Sequence, residues 1–258
     1  MPDQVYSPSI AAIIVTLNEA KHILNCLQTV AWADDILVFD SFSNDQTVTL
    51  ARQSGARVVQ NTFEHFAQQR NAALNAVTTE WVFFIDADER CTPALAAELR
   101  LAVASNNHLV WAVPRHNYLF GKLTQGNGWF PDYQARLFRV GQSGFDPHRM
   151  VHELPVFEGS LGHLQESLTH YNYENLAQFH TKQRIYAQLE ASTQFHQGVR
   201  AQPQNFILQP MREFRRRFIN LQGYRDGWHG LRLSLLLAYY NLDMYRRLWQ
   251  LAHPNKEP

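Results

Sequence analysis

The chain has 258 residues, 45% of them hydrophobic, which is enough apolar material for a full core in one large domain or in one domain with a helical appendage. Its 23 basic and 23 acidic side chains cancel to a formal charge of zero, which argues against a general nucleic-acid binder. The balance is uneven, since Met211 to Pro258 carries nine Lys and Arg against four Asp and Glu, a local +5 that points to one anionic partner.

Ile10 to Val15 reads as a buried strand, and Thr16-Leu17-Asn18-Glu19 as a capping box opening a helix through Val30. Asp35 to Phe39 is a second strand, followed by a helix that Asp45 caps and that stops near Gly55. Arg57 to Gln60 is a third strand, Ala67 to Val77 a helix, and Trp81 to Ile85 a fourth strand ending in Asp86-Ala87-Asp88-Glu89. Thr92-Pro93 begins the next helix. This alternation predicts βαβ units and a mostly parallel sheet, with ligands gathered at the carboxyl ends of its strands. From Leu109 to Thr169 the pattern turns to short strands and loops. A helix from Glu174 to Gln197 and one from Trp228 to Leu251 dominate the rest. The predicted organisation is an α/β domain over residues 1–170 and a basic, aromatic helical extension over 171–258.

Cys26 and Cys91 are the only cysteines and nothing in their spacing pairs them, which fits a reducing compartment. Met1 to Pro8 lacks the pattern of a secretory signal. No stretch reaches the roughly 20 apolar residues of a spanning helix. The expected location is the cytoplasm, peripheral on the inner face of the membrane.

Asp86 and Asp88, one residue apart at a strand exit, disfavour each other unless a cation lies between them. Hard oxygen ligands of this kind suit Mg²⁺ or Mn²⁺ bridging a diphosphate, although a solvated turn before a helix has the same composition. Asp40 ends the second strand, where a carboxylate can accept from a base or ribose. Twelve histidines, among them His116, His148, His152, His163 and His170, show no zinc-ligand spacing.

Ile13-Ile14-Val15-Thr16-Leu17-Asn18-Glu19, Trp32-Ala33-Asp34-Asp35, Asp40-Ser41-Phe42-Ser43-Asn44-Asp45-Gln46-Thr47 and Asp86-Ala87-Asp88-Glu89 occur in this order. The set resembles the inverting family 2 glycosyltransferases of GT-A fold, above all a branch similar to β-glucosyltransferases of the lipopolysaccharide core. The resemblance implies that Thr16, Asn18, Glu19, Asp40 and Asp86 bind a nucleotide diphosphate sugar and that Asp88 is the principal metal ligand. Phe42 stands where this branch often has glycine. Arg70, in Arg70-Asn71, matches the basic residue that faces the donor and would neutralise a phosphate. Arg136-Leu137-Phe138-Arg139 and Val151-His152-Glu153 also match the branch. On that basis Glu153 is the expected general base and His152 a metal or diphosphate contact.

In the C-terminal region Arg232, Asp243, Arg246, Arg247 and Gln250 share about a third of one helical wheel. The remainder of that helix is mainly Leu, Tyr, Trp and Met, so it either packs on the domain or lies in a lipid interface. The family has a comparable Asp-Gly-x-x-Gly segment, here Asp226 to Gly230, and uses lipid-linked acceptors. The implied partners are therefore a nucleotide sugar, a lipid-linked glycan and a membrane surface, with no nucleic acid.

Three rivals remain. A phosphatase built on Asp-x-Asp wants Thr or Val where Arg90 stands. A sugar nucleotidyltransferase wants a Gly-rich, Arg-containing loop in place of Thr16-Leu17-Asn18-Glu19. A non-catalytic membrane-docking partner needs the basic helix and none of the carboxylates.

Overall fold

The computed structural model describes residues 7–147 and 154–253. The elements β1 (Ile10–Thr16), α1 (Ile23–Thr29), β2 (Asp35–Asp40), α2 (Thr47–Gln53), β3 (Arg57–Gln60), α3 (Phe66–Leu74) and β4 (Trp81–Asp86) alternate as expected. They are followed by β5 (Glu89–Arg90), α4 (Pro93–Ser105), β6 (Val110–Leu119), β7 (Lys122–Leu123), β8 (Asp132–Arg139) and β9 (Ser143–Phe145). Next come β10 (Pro155–Phe157), β11 (Gly162–His163), β12 (Leu168–Tyr173), α5 (Leu176–His196), α6 (Asn205–Arg215) and α7 (Gly227–Ala252). Two compact units result. The first holds the residues up to Arg115 and Tyr133–His170, and the second holds His116–Asp132 and the residues from Tyr171 onward.

The strands of the main sheet run in the order β3-β2-β1-β4-β8-β6-β12-β5. β1 lies parallel between β2 and β4, β3 is parallel to β2, and β8 is antiparallel to β4. Both faces are covered, which is why β1 and β4 read as unbroken apolar runs. Ile10, Ala12 and Ile14 pack with Ile23 and Leu27 of α1 and Leu95 and Leu99 of α4. Ala11 and Ile13 face the other way, with Ala67, Ala73 and Leu74 of α3. Both cysteines are unpaired and buried in the first of these layers. Burial pushes both thiols up, that of Cys91 to about 12.

Thr92 caps α4 as expected, accepting the Leu95 N–H at 3.1 Å, with Pro93 in the first turn. The capping box at Thr16 does not form. β1 runs through Thr16, whose hydroxyl donates to Asp40, and α1 begins only at Ile23, after His22, which makes no side-chain cap. Asp45 lies one residue before the first cap position of α2 and accepts the Thr47 N–H at 2.9 Å.

In the second unit, Phe179, Ala187 and Ala191 of α5 pack on Leu233, Leu237, Tyr240, Met244 and Leu248 of α7. Asp226 accepts the N–H groups of Gln125 (3.1 Å) and Gly126 (2.7 Å), fastening the 116–132 loop to the start of α7. A Cβ at Gly230 would lie 1.8 Å from the Gly223 carbonyl oxygen, so only glycine fits there. The Asp-Gly-x-x-Gly segment is thus a structural clamp. α7 buries one face, with Leu233, Leu237, Tyr240, Met244 and Leu248 in the core, and leaves Trp228, Leu235, Tyr239 and Leu251 exposed. Trp249 packs on Phe206 and stacks on His253, Arg247 pairs with Asp243, and Arg232 lies over Phe120. Among the described residues no helix is long and apolar enough to cross a membrane.

Candidate active site

The register of the first unit sets Asp40 beside Thr16 and Asp86 beside Val15, so the ends of β2, β1 and β4 form one row. Asp40 and Asp86 are therefore two strand spacings apart, about 10 Å. Thr16, Asn18, Glu19 and Asp40 are brought together on one side of this row, and Arg70, Asp86 and Asp88 on the other.

On the first side the loops after β1 and β2 are stitched to each other. Asn18, at φ +57°, donates its N–H to the Ser43 hydroxyl (2.8 Å) and accepts the Asn44 N–H on its side chain (2.9 Å). Glu19 takes part through its backbone, its N–H donating to the Thr47 hydroxyl at 2.8 Å. Phe42 adopts φ +61° and is exposed. That left-handed conformation is costly for an aromatic residue and explains why glycine is at home at this position. Asp40 is fully buried and accepts four hydrogen bonds, from the hydroxyls of Thr16 and Ser43 on Oδ1 and from the Ser43 N–H and the Gln60 amide on Oδ2. Four donors fill a carboxylate's acceptor capacity. Asp40 therefore fixes both loops.

On the second side three arginines converge on two carboxylates. Arg136 Nη2 lies 2.6 Å from both Asp86 Oδ2 and Glu89 Oε1. Arg115 approaches Glu89 at 3.2 Å and Arg70 approaches Asp86 at 3.5 Å. Glu89 Oε2 accepts the Asp86 N–H at 2.9 Å, and Arg90 donates to the carbonyls of Ala87 and Glu89, so the whole turn is pinned. Burial works to raise the Asp86 pKa, but the charges of Arg136 and Arg70 outweigh it and hold the carboxyl well below its usual range. Burial likewise works against the charge of Arg136, and Asp86 and Glu89 more than restore it. The repulsion expected between neighbouring carboxylates is thus relieved for Asp86 and Glu89 by arginine. Arg70 is no surface residue, because its guanidinium lies over the rings of Phe84 (5.1 Å) and Phe145 (5.7 Å). Asn71, its neighbour, both donates to the Phe145 carbonyl and accepts the Phe145 N–H, holding β9 to α3.

Asp88 stands apart from these pairs, with His170 Nε2 3.5 Å from its Oδ2. Among the described residues no group of three or more His, Cys, Asp or Glu side chains gathers to hold a metal. One carboxylate and one imidazole still fit Mg²⁺ or Mn²⁺, because such ions are held by one or two carboxylates together with substrate phosphates and water. Glu153 and His152 lie outside the described residues.

Sequence reasoning assigned no role to Arg115, Arg136, Glu89 or His170. Arg136 did stand inside a matching signature, and its place in the buried stretch of β8 was the available signal. His170 lies opposite Glu89 across the β12–β5 pair, which no local pattern announces.

The chain is similar to several known proteins. Over 95% of both chains the protein is 29% identical to the lipopolysaccharide core biosynthesis glycosyltransferase LpsC of Rhizobium meliloti. An uncharacterized glycosyltransferase of Rickettsia felis is 26% identical over 89% of this chain and 86% of its own. Glucosyl-3-phosphoglycerate synthase from Mycobacterium tuberculosis, solved with Mn²⁺, UDP and glucosyl-3-phosphoglycerate, aligns at 22% identity with a TM-score of 0.37. That alignment covers 43% of this chain and 44% of the synthase, less than half of its length. The family profile extends over residues 11–155, more than half of the chain and through both strand-end loops. The chain belongs to glycosyl transferase family 2.

Proposed function

We propose that the protein transfers a hexose from a nucleoside diphosphate sugar to a hydroxyl of a lipid-linked or lipopolysaccharide-type glycan, inverting the anomeric carbon. The observation that carries this reading is the row of strand ends with a filled, loop-fixing carboxylate at Asp40 and an arginine cluster at Asp86. Thr16, Asn18, Glu19 and Asp40 define the nucleoside side, where the filled Asp40 carboxylate holds in place the two loops that would receive base and ribose. Arg70 lies where it can move from Asp86 to a phosphate oxygen, so its charge acts as negative charge builds on the leaving group. Asp88, with His170 beside it, would hold Mg²⁺ or Mn²⁺, whose chemistry there is neutralisation of the diphosphate. His152 is a further candidate for that shell from sequence alone.

The carboxylate of Glu153 takes the acceptor hydroxyl's proton as that oxygen bonds to the anomeric carbon from behind. The bond from carbon to phosphate oxygen breaks, and the nucleoside diphosphate leaves with the electron pair. No covalent enzyme intermediate forms. Similarity to LpsC, a lipopolysaccharide core biosynthesis glycosyltransferase, supports an acceptor of the lipopolysaccharide-core kind.

The test is thermal unfolding with UDP-, GDP- and dTDP-sugars, with and without Mn²⁺. A donor at 100 times its Kd adds about 2.7 kcal/mol to the folded state. No stabilisation by any of them would favour the non-catalytic membrane partner. Pyrophosphate release from a nucleoside triphosphate and a sugar phosphate would favour the nucleotidyltransferase.

A further inference from the structure

None of the residues of α6 is buried. Its inner side is defined by Phe206, edge-on to Trp249 of α7 at 5.8 Å. Outward stand Ile207 (66% exposed), Leu208, Met211 (64%), Arg212, Arg215 and, just beyond the helix end, Arg216. These positions follow one another at i, i+1, i+4, i+5, i+8 and i+9, so they share one face. That face is divided along its length, apolar in the first turns and basic in the last. Arg216 is tied to Glu213 at 2.6 Å, whereas Arg212 and Arg215 make no ion pair among the described residues. Trp228, at the start of α7, is 85% exposed.

Water leaves the apolar half unsatisfied, and a protein core would strand the guanidinium groups. A second copy related by a two-fold axis would set this patch against itself, arginine on arginine or arginine on methionine. A bilayer interface satisfies both halves, because apolar side chains enter the headgroup boundary while arginines reach the phosphates. We propose that α6 docks the protein on an anionic phospholipid bilayer, with Ile207, Leu208 and Met211 inserted and Arg212 and Arg215 on lipid phosphates. This rests on the reading of a membrane-side acceptor and gives that reading its contact element. The contact takes in part of the basic stretch from Met211 onward that the sequence assigns to an anionic partner, and adds Ile207, Leu208 and Met211 as the inserted side chains.

The experiment is flotation of the full chain with phosphatidylcholine vesicles, with and without phosphatidylglycerol. Arg212→Ala/Arg215→Ala should lower partitioning onto anionic vesicles on the order of 30-fold, about fivefold for each arginine. Ile207→Ser/Met211→Ser should lower it on both vesicle types. Arg52→Ala, an exposed change on α2, should leave it unaltered. All of these side chains are exposed, and circular dichroism checks that the variants fold. Donor-induced stabilisation should be the same in each variant, so a chain that floats without binding donor sinks the transferase reading and leaves the docking one standing. Equal flotation of the α6 variants and the parent would overturn the proposal. So would self-association without vesicles that Ile207→Ser/Met211→Ser abolishes, which would make the occupant a second copy.

Discussion

Replacing Arg136 by Met isolates what the buried arginine does. Arg136 is 2% exposed and serves two carboxylates at 2.6 Å each, one of them the fully buried Glu89. Methionine fills similar space but leaves Glu89 with Arg115 at 3.2 Å and Asp86 with Arg70 at 3.5 Å. Removing one partner of a buried pair costs about 3–5 kcal/mol. At roughly 2–4 °C per kcal/mol for a chain of this size, Tm should fall by roughly 6–20 °C. Arg136→Lys should recover part of the loss, since an ammonium keeps the charge without the fork. The pH dependence has a definite sign. In the parent the Asp86 carboxyl is held below its usual 3.8, so its contribution is complete above that value and is lost only as pH falls through the lower folded value. In Arg136→Met the Asp86 carboxyl, without the charge that holds it down, takes up its proton at higher pH. The stability gap should therefore be full at neutral pH and narrow on acidification toward the usual carboxylate range. Urea unfolding of the three proteins at stepped pH measures this. A neutral-pH loss below ~1 kcal/mol, or a gap that widens in acid, would refute the argument.

Asp88→Asn should keep the fold and remove any dependence of donor binding on Mn²⁺, read by thermal shift, and an unchanged Mn²⁺ response would take the metal from Asp88. Glu153→Gln should leave donor affinity intact and cut transfer at least ~10²-fold, measured as product formed per enzyme. Comparable turnover would move the base elsewhere, with Asp132 next in line. Asp226→Ala should destabilise the second unit by about 1–3 kcal/mol through two unsatisfied N–H groups. Gly230→Ala, with its Cβ 1.8 Å from the Gly223 carbonyl, should do at least as much. In both cases donor binding in the first unit should survive, as calorimetry with a sugar nucleotide would report.

The parts legible in the sequence are those written locally. β1, β2 and β4 announce themselves as short apolar runs, and Thr92-Pro93 carries its own start signal. Thr16 to Glu19 has the composition of a cap but sits where a strand continues, and the deciding contact, to Asp40, is 24 residues away. The arginine cluster was illegible for the same reason, since Arg70, Arg115 and Arg136 reach Asp86 and Glu89 from three separate elements. α6 was not legible as a helix because Pro210 interrupts its pattern, although its arginines lie in the basic stretch from Met211 that the sequence assigns to an anionic partner. His170 looked like one histidine among twelve until the sheet placed it near Asp88.

The two cysteines bear on how such a chain can be handled. Only thiolate reacts readily with maleimides or oxidants, and burial keeps both Cys26 and Cys91 protonated far beyond neutral pH. The folded protein therefore presents no reactive sulfur, and native labelling should find none where denaturation reveals two. A single Trp228→Cys change would then carry a fluorophore or spin label on an otherwise unaltered chain. Its immersion depth could be read in a bilayer without first stripping cysteines from the core.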